Sequence, residues 1–350
     1  FFFKQKTAYE ILTCDWSSDV CSSDLHETAN IIGADVSSQE FVVAWAHSNK
    51  PVQTIVNNRQ GILAWLRTLP ANAVIGMEAT GRYHHTLADC AAAQGHTVYV
   101  INPKHLAHYA RGVGQRGKTD PLDARVIARY VDRERDHLYP YVVPSKLQRS
   151  LRSLLSQRAG VVKHCGAIRQ NLRATHTESS AALRRATEQV LNSLVAMIDA
   201  IDVEIKRAVQ NHAALEAQRA QLQTITGIGF LNSVALAHRF DRTPFANSDA
   251  VVAAYGMDPR PKDSGKQVGK RHLTKQGNPE DRRLIYLAAQ SAAKTRLFRP
   301  TYLALRAKGF ATTEAIVILA RKLLRIAFAV WTSGKPFDPT KIGIHPCQKP

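Results

Sequence analysis

Two aspartates, Asp120 and Asp123, stand three residues apart between basic side chains in the stretch Arg116–Arg125. This spacing places both carboxylates on one face of a helix. The order Asp-Pro-x-Asp is also typical of a helix start, with Asp120 as the predicted N-cap and Pro121 as the first helical residue. The second aspartate would favour the positive end of the helix dipole. The stretch alone favours that structural role. Whether the two carboxylates also do chemistry depends on the acidic residues that join them.

Two further carboxylates, Asp35 and Glu78, each follow a short apolar run that reads as a buried strand. Ligands of open α/β sheets bind at the carboxyl ends of strands. Four carboxylates brought together would repel one another unless cations neutralised them. Two Mg²⁺ ions about 3.5–4 Å apart supply that charge and activate an attacking oxygen in phosphoryl transfer, and magnesium prefers oxygen ligands. The sequence therefore predicts a metal site made of Asp35, Glu78, Asp120 and Asp123, with strand-end turn residues as the alternative for the first two.

A second stretch that could do chemistry is Gly256–Arg271, which overlaps the predicted Gly/Lys-rich loop Pro259–Pro279 and in which Ser264 precedes a glycine. Clustered cations can hold a phosphate and stabilise the extra charge of a pentacoordinate transition state. A serine nucleophile also needs an activating group, which the segment itself does not provide. The residues alone therefore favour a phosphate-binding loop in which Ser264 donates a hydrogen bond. The cations expected to contact nucleic acid are Lys262, Lys266, Lys270, Arg271 and Lys275.

Gly227 and Gly229 lie in a turn between two predicted helices, in the order Thr-Gly-Ile-Gly. The turn resembles that of a helix-hairpin-helix motif, whose glycines let backbone N–H groups approach a phosphate. A plain connector between helices uses glycine as well. We predict that both glycines contact nucleic acid.

The charge balance points to a polyanionic partner. The 350 residues include 47 lysines and arginines against 28 acidic residues, a net charge of +19. Residues 1–25 resemble a translated sequencing-adapter read and are expected to be a non-native leader. Between residues 258 and 308 there are 13 basic and 4 acidic side chains. Such an excess favours nucleic acid, and a membrane-surface protein is disfavoured because the sequence has no apolar run of about 18 residues. Cys90, Cys165 and Cys347 are isolated, so no disulfide framework is indicated.

Three regions follow from the hydrophobic patterns. Residues 26–142 start with a predicted hairpin and then alternate helix and strand, which indicates an α/β domain with a mixed sheet. Residues 145–222 are rich in leucine, with a predicted break at 175–180, and a heptad seam from Leu191 to Leu222 predicts a coiled coil. The polar seam residues His212 and Arg219 are expected to be satisfied by neighbours or to set the register, rather than to bind a ligand. Residues 223–345 are predicted to be mostly helical.

The chain resembles a known family in several blocks. Ile32–Ser37, Gly76–Gly81 and Lys118–Ala124 are similar to the signature blocks of the DEDD insertion-sequence transposases, the IS110 group. The later blocks Gly227–Gly229, Asp263–Lys266 and Lys275–Pro279 look like the C-terminal domain of the same group. The blocks occur in the family's order between residue 30 and about residue 335, which makes the resemblance specific.

The resemblance implies a RuvC-like, RNase H-like fold for residues 26–142 and a C-terminal serine transposase domain for residues 223–345. The acidic residues Asp35, Glu78, Asp120 and Asp123 would match the four metal-binding positions, with two Mg²⁺ ions. Ser264 would match the catalytic serine, which forms a covalent phosphoserine with DNA. The resemblance also implies a dimer or tetramer joined through coiled coils, a structured guide RNA, and action on DNA in the prokaryotic cytoplasm, at the nucleoid.

Two other functions stay open at this point. A RuvC-type structure-specific endonuclease would use the four carboxylates and water, with the C-terminal part only binding nucleic acid. A non-catalytic DNA- or RNA-binding scaffold is the second alternative. The substitution Ser264→Ala separates the recombinase from the endonuclease, because only the recombinase requires the serine.

Overall fold

The computed structural model describes residues 30–48, 50–115, 117, 119–174, 180–260 and 271–341. The chain divides into two compact units between Val143 and Pro144. The predicted leader, residues 1–25, lies outside the described residues. Within the described ranges, no helix has both the length and the apolar character needed to cross a membrane.

The N-terminal unit is built on a five-stranded mixed sheet. Its strands are β1 (Ile31–Val36), β2 (Glu40–Trp45), β3 (Gln53–Val56), β4 (Val74–Glu78) and β5 (Thr97–Ile101). Their order is β3-β2-β1-β4-β5, with antiparallel pairing from β3 through β1 and parallel pairing from β1 through β5. The predicted mixed sheet with an opening hairpin is confirmed, and the arrangement is compatible with an RNase H-like fold.

Helices cover both faces of this sheet. They are α1 (Arg59–Leu66), α2 (His85–Ala93), α3 (Pro103–Gly112) and α4 (Asp120–Glu134). Because side chains alternate along a strand, Ile32, Ala34 and Val36 pack with residues of α1 and α2. The alternate residue Ile31 instead packs with Leu106 of α3 and residues of α4. The sheet is therefore the middle layer of three.

Two glycines allow α4 to lie directly on the sheet. A Cβ atom on Gly33 would lie 2.1 Å from the carbonyl oxygen of Ala124 and 2.3 Å from the amide nitrogen of Ala128. A Cβ on Gly76 would lie 2.4 Å from a methyl group of Val131. Glycine at these positions brings the helix backbone closer to β1 and β4 than any other residue would permit.

The C-terminal unit is mostly helical, as predicted. Its elements are α5 (Lys146–Ala174), α6 (Ala181–Gln210), α7 (Ala213–Gln223), α8 (Phe230–Arg242), α9 (Ser248–Ala254), β6 (Pro259–Arg260), β7 (His272–Leu273), α10 (Pro279–Ala292), α11 (Arg299–Ala307) and α12 (Thr312–Ser333). One hydrophobic core joins these helices, and α12 buries eight residues. Short 3₁₀ turns occupy 135–137 in the N-terminal unit and 339–341 in this one.

The two longest helices, α5 and α6, pack against each other within one chain. Leu151, Cys165 and Ile205 contribute to the shared core. The guanidinium of Arg158 on α5 donates to both carboxylate oxygens of Asp202 on α6, at 2.6 and 2.9 Å. Such a bidentate pair fixes the two helices in one register.

The predicted heptad seam is not continuous. Helix α6 ends at Gln210 and α7 starts at Ala213, with His212 exposed in an extended conformation at the N-cap of α7. The prediction that His212 belongs to the heptad seam is therefore wrong, because the backbone leaves the helix there. Arg219 is buried, pairs with Glu216 and lies over the ring of Phe230 at 5.0 Å. Its charge is satisfied by its neighbours, in keeping with a structural role.

Candidate metal site and serine loop

Asp35 and Glu78 lie side by side at the carboxyl ends of two parallel strands. The pairing of β1 with β4 runs through Ala34 opposite Met77, so Asp35 and Glu78 are the next residues along. Both are partly buried. Asp35 shares the sheet face of Gly33, and Glu78 shares that of Gly76, because side chains repeat every second residue. This is the face that α4 covers.

The direction of α4 brings its first turn to these strand ends. Ile31 packs with Ile127 and Val131, whereas Gly33 lies against Ala124 and Ala128. Two more residues along β1 advance the strand by about 6.6 Å, which equals about four helix residues at 1.5 Å each. The position over Asp35 is therefore that of residues 120–124. The backbone thus carries all four predicted acidic residues to one edge of the sheet.

The start of α4 explains how its two aspartates are held. Thr119 precedes the helix in an extended conformation, and Asp120, Pro121 and Asp123 occupy the first turn. Asp120 is exposed and Asp123 is half-buried. The Nε2 group of Gln115 donates to a carboxylate oxygen of Asp123 at 3.0 Å and to the carbonyl of Gly117 at 2.9 Å. The predicted helix start is therefore present, with Thr119 rather than Asp120 as the N-cap.

The side chains do not converge as a finished metal cage. Among the described residues, no three His, Cys, Asp or Glu side chains are placed to hold one ion together. Mutual repulsion of carboxylates opposes such clustering without a cation. The carboxylate of Asp123 is instead oriented by the hydrogen bond that it accepts from Gln115. The four side chains supply only oxygen donors, which is the donor chemistry that suits Mg²⁺.

Asn57, which the sequence analysis did not single out, links the loops that follow β1 and β4 at this end of the sheet. The Nδ2 group of Asn57 donates to the carbonyl of Ser37, two residues after Asp35, at 2.7 Å. It also donates to the carbonyl of Tyr83, in the segment after Glu78, at 3.3 Å. Asn57 therefore links the segments that follow both strand-end carboxylates. Only the pair Asn57-Asn58 between a strand and a helix marks the position in the sequence, and such a pair usually signals a helix cap.

The predicted serine loop is closed at its base by a small antiparallel ladder. Residues 261–270, with Lys262, Ser264, Lys266 and Lys270, lie outside the described residues. On either side of them Pro259 pairs with Leu273 and Arg260 pairs with His272. The Thr274 hydroxyl donates to the Asp258 carboxylate just below this ladder.

The chain below the ladder is tightly packed. A Cβ on Gly277 would lie 2.2 Å from the carbonyl of Ala254, and Gly256 has a positive φ of 64°. The guanidinium of Arg282 on α10 donates to the carbonyls of Gly277 and Tyr255. These contacts fix both ends of the loop to α9 and α10. The predicted nucleic-acid contacts Arg271 and Lys275 flank the loop on its C-terminal side and are exposed.

The glycines of the predicted helix-hairpin-helix turn differ in their surroundings. Gly227 has a φ of 96°, and a Cβ there would lie 2.7 Å from the carbonyl of Ala288 on α10. Packing against α10 thus already explains the glycine. Gly229 is the N-cap of α8 and is exposed, and a Cβ at this position would meet no atom of the described residues within 4 Å. It leaves the first turn of α8 open to a ligand.

The chain is similar to known transposases over most of its length. A DEDD transposase family model of the IS110 type matches residues 32–180, and that of the IS116/IS110/IS902 transposase family matches residues 219–303. The pilin gene-inverting protein of Moraxella bovis is 27% identical over 321 residues, which span 88% of this chain and 97% of that protein. The transposase for insertion sequence element IS1328 of Yersinia enterocolitica is 24% identical over 338 residues, 88% of this chain and 98% of that protein.

The two matched regions and these relatives define a DNA recombinase of the transposase class. The chain belongs to the IS110 family of insertion-sequence transposases.

Proposed function

We propose that this protein excises and inserts its own mobile element by phosphoryl transfer, using the four carboxylates and Ser264. The observation that carries the proposal is the meeting of the first turn of α4 with the carboxyl ends of β1 and β4. Three separate chain segments bring acidic residues to one edge of the sheet. A purely structural role for these residues would not require such a convergence.

Asp35, Glu78, Asp120 and Asp123 would hold Mg²⁺, with two ions per site. When bound, the ions supply positive charge that polarises the scissile phosphate. The chain itself orients the ligands. Gln115 holds Asp123 through its 3.0 Å hydrogen bond, and Asn57 holds the segments that follow the two strands.

Ser264 is the nucleophile in this proposal. A bond forms between its Oγ and the DNA phosphorus as the bond from that phosphorus to a deoxyribose oxygen breaks. The serine proton ends on the released deoxyribose hydroxyl. A hydroxyl of another DNA end then attacks the phosphoserine and restores the serine, so the phosphodiester energy is conserved and no nucleotide cofactor is consumed. The cations Lys262, Lys266 and Lys270 stabilise the charge of each transition state.

The serine of one copy would serve the carboxylates of another copy in a dimer or tetramer. Leu183, Val190 and Met197 of α6 follow one another at intervals of seven residues and are 57%, 50% and 48% exposed. An exposed apolar stripe at heptad spacing on a long helix favours pairing with a second helix. It supports a coiled coil between subunits beside the packing of α5 with α6 inside one chain.

A structured RNA from the element's non-coding end would guide the enzyme by pairing with donor and target DNA. The net charge of +19 supports binding of more than one polyanion. The site of action would be the nucleoid in the prokaryotic cytoplasm. A second candidate outcome is inversion of a DNA segment, which the similarity to the pilin gene-inverting protein favours and which uses the same chemistry.

The test is capture of the covalent intermediate. Purified protein with Mg²⁺, labelled DNA containing the gene's flanks and transcripts of those flanks should give a protein–DNA adduct on a denaturing gel. Ser264→Ala should abolish the adduct and strand exchange, whereas Ser291→Ala, at an exposed serine of α10, should leave both unchanged. Strand cleavage that persists in Ser264→Ala would instead support a RuvC-type endonuclease. Binding without cleavage by the wild type would support a non-catalytic scaffold.

A further inference from the structure

A cavity of about 470 Å³ lies between α5, α8 and the start of α10 in the C-terminal unit. Its volume falls in the range of pockets that take ligands of nucleotide size. Cationic and aliphatic side chains line different parts of it: Arg152, Arg239 and Arg242, and Leu155, Leu231 and Leu284. The cavity has no part in the proposed metal or serine chemistry.

Two of the three arginines that line the cavity form no salt bridge with its carboxylates among the described residues. In the part of the chain that the structure describes, Arg152 and Arg239 have no salt-bridge partner. Glu280 also lines the cavity but pairs with Arg283 at 2.6 Å. Burial raises the pKa of the remaining carboxyl group, Asp281, and the charge of Arg239 acts in the opposite direction, although no salt bridge joins the two side chains. Guanidinium groups that have no salt-bridge partner favour an anion with several oxygens, such as a phosphate.

Two buried nitrogen atoms of cavity residues also lack a hydrogen-bond partner among the described residues. Nδ1 of His238 and Nε of Arg239 form no hydrogen bond within the described residues. Leaving a buried polar atom unpaired is costly. Burial, followed by the charge of Arg242, lowers the pKa of His238 to about 4. The ring is therefore neutral at neutral pH, with one donor and one acceptor, as recognition of an uncharged polar edge requires.

We propose that this cavity binds one unpaired nucleotide of a single-stranded DNA or RNA segment, with its phosphate on Arg152, Arg239 and Arg242 and its base against the leucines. A base inside a duplex is stacked and paired, so it reaches such a pocket only when it is unpaired or turned out of the helix. The aliphatic wall gives contact to any base, and the polar groups contact its edge. The inference rests on the proposed nucleic-acid function and adds a specific contact to it.

The experiment measures binding of labelled oligonucleotides to the full-length protein by fluorescence anisotropy, in EDTA so that no cleavage occurs. Single-stranded DNA, single-stranded RNA and the DNA duplex are compared. Arg152→Gln, at an exposed residue, should weaken single-strand binding about tenfold and lower the slope of log K against log salt by about 0.7. Arg207→Gln, whose guanidinium pairs with Glu204 outside the cavity, is the matched control and should change neither value.

A second variant tests the base rather than the phosphate. Leu231→Trp fills the cavity and should weaken single-strand binding while leaving duplex binding within about twofold. Adenosine monophosphate should compete with the single strand far better than inorganic phosphate does. Equal competition by the two, or unchanged single-strand binding in both variants, would overturn the proposal. Because these measurements need neither metal nor Ser264, they stay valid if the proposed recombination chemistry fails, and the DNA and RNA strands show which polymer the pocket prefers.

Discussion

The close contact of Gly33 with α4 makes it the most informative position for testing how the fold builds the site. In Gly33→Ala the new Cβ would lie 2.1 Å from the Ala124 carbonyl and 2.3 Å from the Ala128 amide. Both are backbone atoms, so the whole helix must move away from β1. Overpacking of this kind costs about 3 kcal/mol. The movement also shifts Asp120 and Asp123 away from Asp35, so stability and activity should fall together.

Alanine variants of two other glycines serve as comparisons, because their expected destabilisation is smaller. In Gly76→Ala the new atom meets a methyl group of Val131 at 2.4 Å, and a side chain gives way at lower cost than backbone. A Cβ on Gly112, at the end of α3, would meet no atom of the described residues within 4 Å, and Gly112 has no positive φ. Gly112→Ala should therefore be neutral or slightly stabilising.

Urea unfolding followed by circular dichroism measures the three variants, and adduct formation measures their activity. The expected order of destabilisation is Gly33→Ala, then Gly76→Ala, then Gly112→Ala. For Gly33→Ala the midpoint of the N-terminal unit should fall by about 1.5 M urea. A Gly33→Ala protein with wild-type midpoint and wild-type adduct yield would refute the argument that α4 positions the carboxylates.

Three more outcomes are expected. Asp123→Asn should abolish Mg²⁺-dependent strand cleavage with little loss of stability. The control Asp136→Asn, at an exposed aspartate just after α4, should retain the cleavage activity. Equal cleavage by the two variants would remove Asp123 from the site. Burial lowers the pKa of His238 to about 4, so between pH 6.5 and pH 4 the unfolded chain binds a proton that the folded chain does not. The free energy of unfolding should therefore drop by about 2 kcal/mol between pH 7 and pH 5. Urea midpoints measured at both pH values should show a smaller drop in His238→Gln. Val190→Glu places a charge in the exposed stripe of α6 and should reduce the oligomer in sedimentation runs, while an unchanged oligomer would exclude that stripe from the interface.

Much of the fold could be predicted because its signals are local. The strands β1, β2, β4 and β5 are apolar runs, and all four follow directly from the sequence pattern. Strand β3 escapes prediction because three of its four residues are exposed, which removes the alternation on which a strand prediction depends. The interruption at His212 also escapes it, because the heptad spacing continues through this residue while the helical backbone does not.

The candidate site was predictable in its residue types and less so in its geometry. Carboxylates at strand ends and at a helix start can be recognised in the sequence. The contacts made by Asn57 and Gln115 depend on segments that meet only after folding, so no local pattern predicts them. The same holds for the cavity beside His238, whose walls come from residues more than a hundred positions apart. Ser264 stays a prediction.

The hairpin of α5 and α6 has a consequence for how two copies can be spaced. A helix of 30 residues such as α6 spans about 45 Å, and the bidentate pair of Arg158 with Asp202 prevents it from sliding along α5. The pair of α5 and α6 therefore has a fixed length. If two copies pair along the stripe from Leu183 to Met197, as proposed, removing one heptad from each helix would shorten the rigid helix pair by about 10 Å.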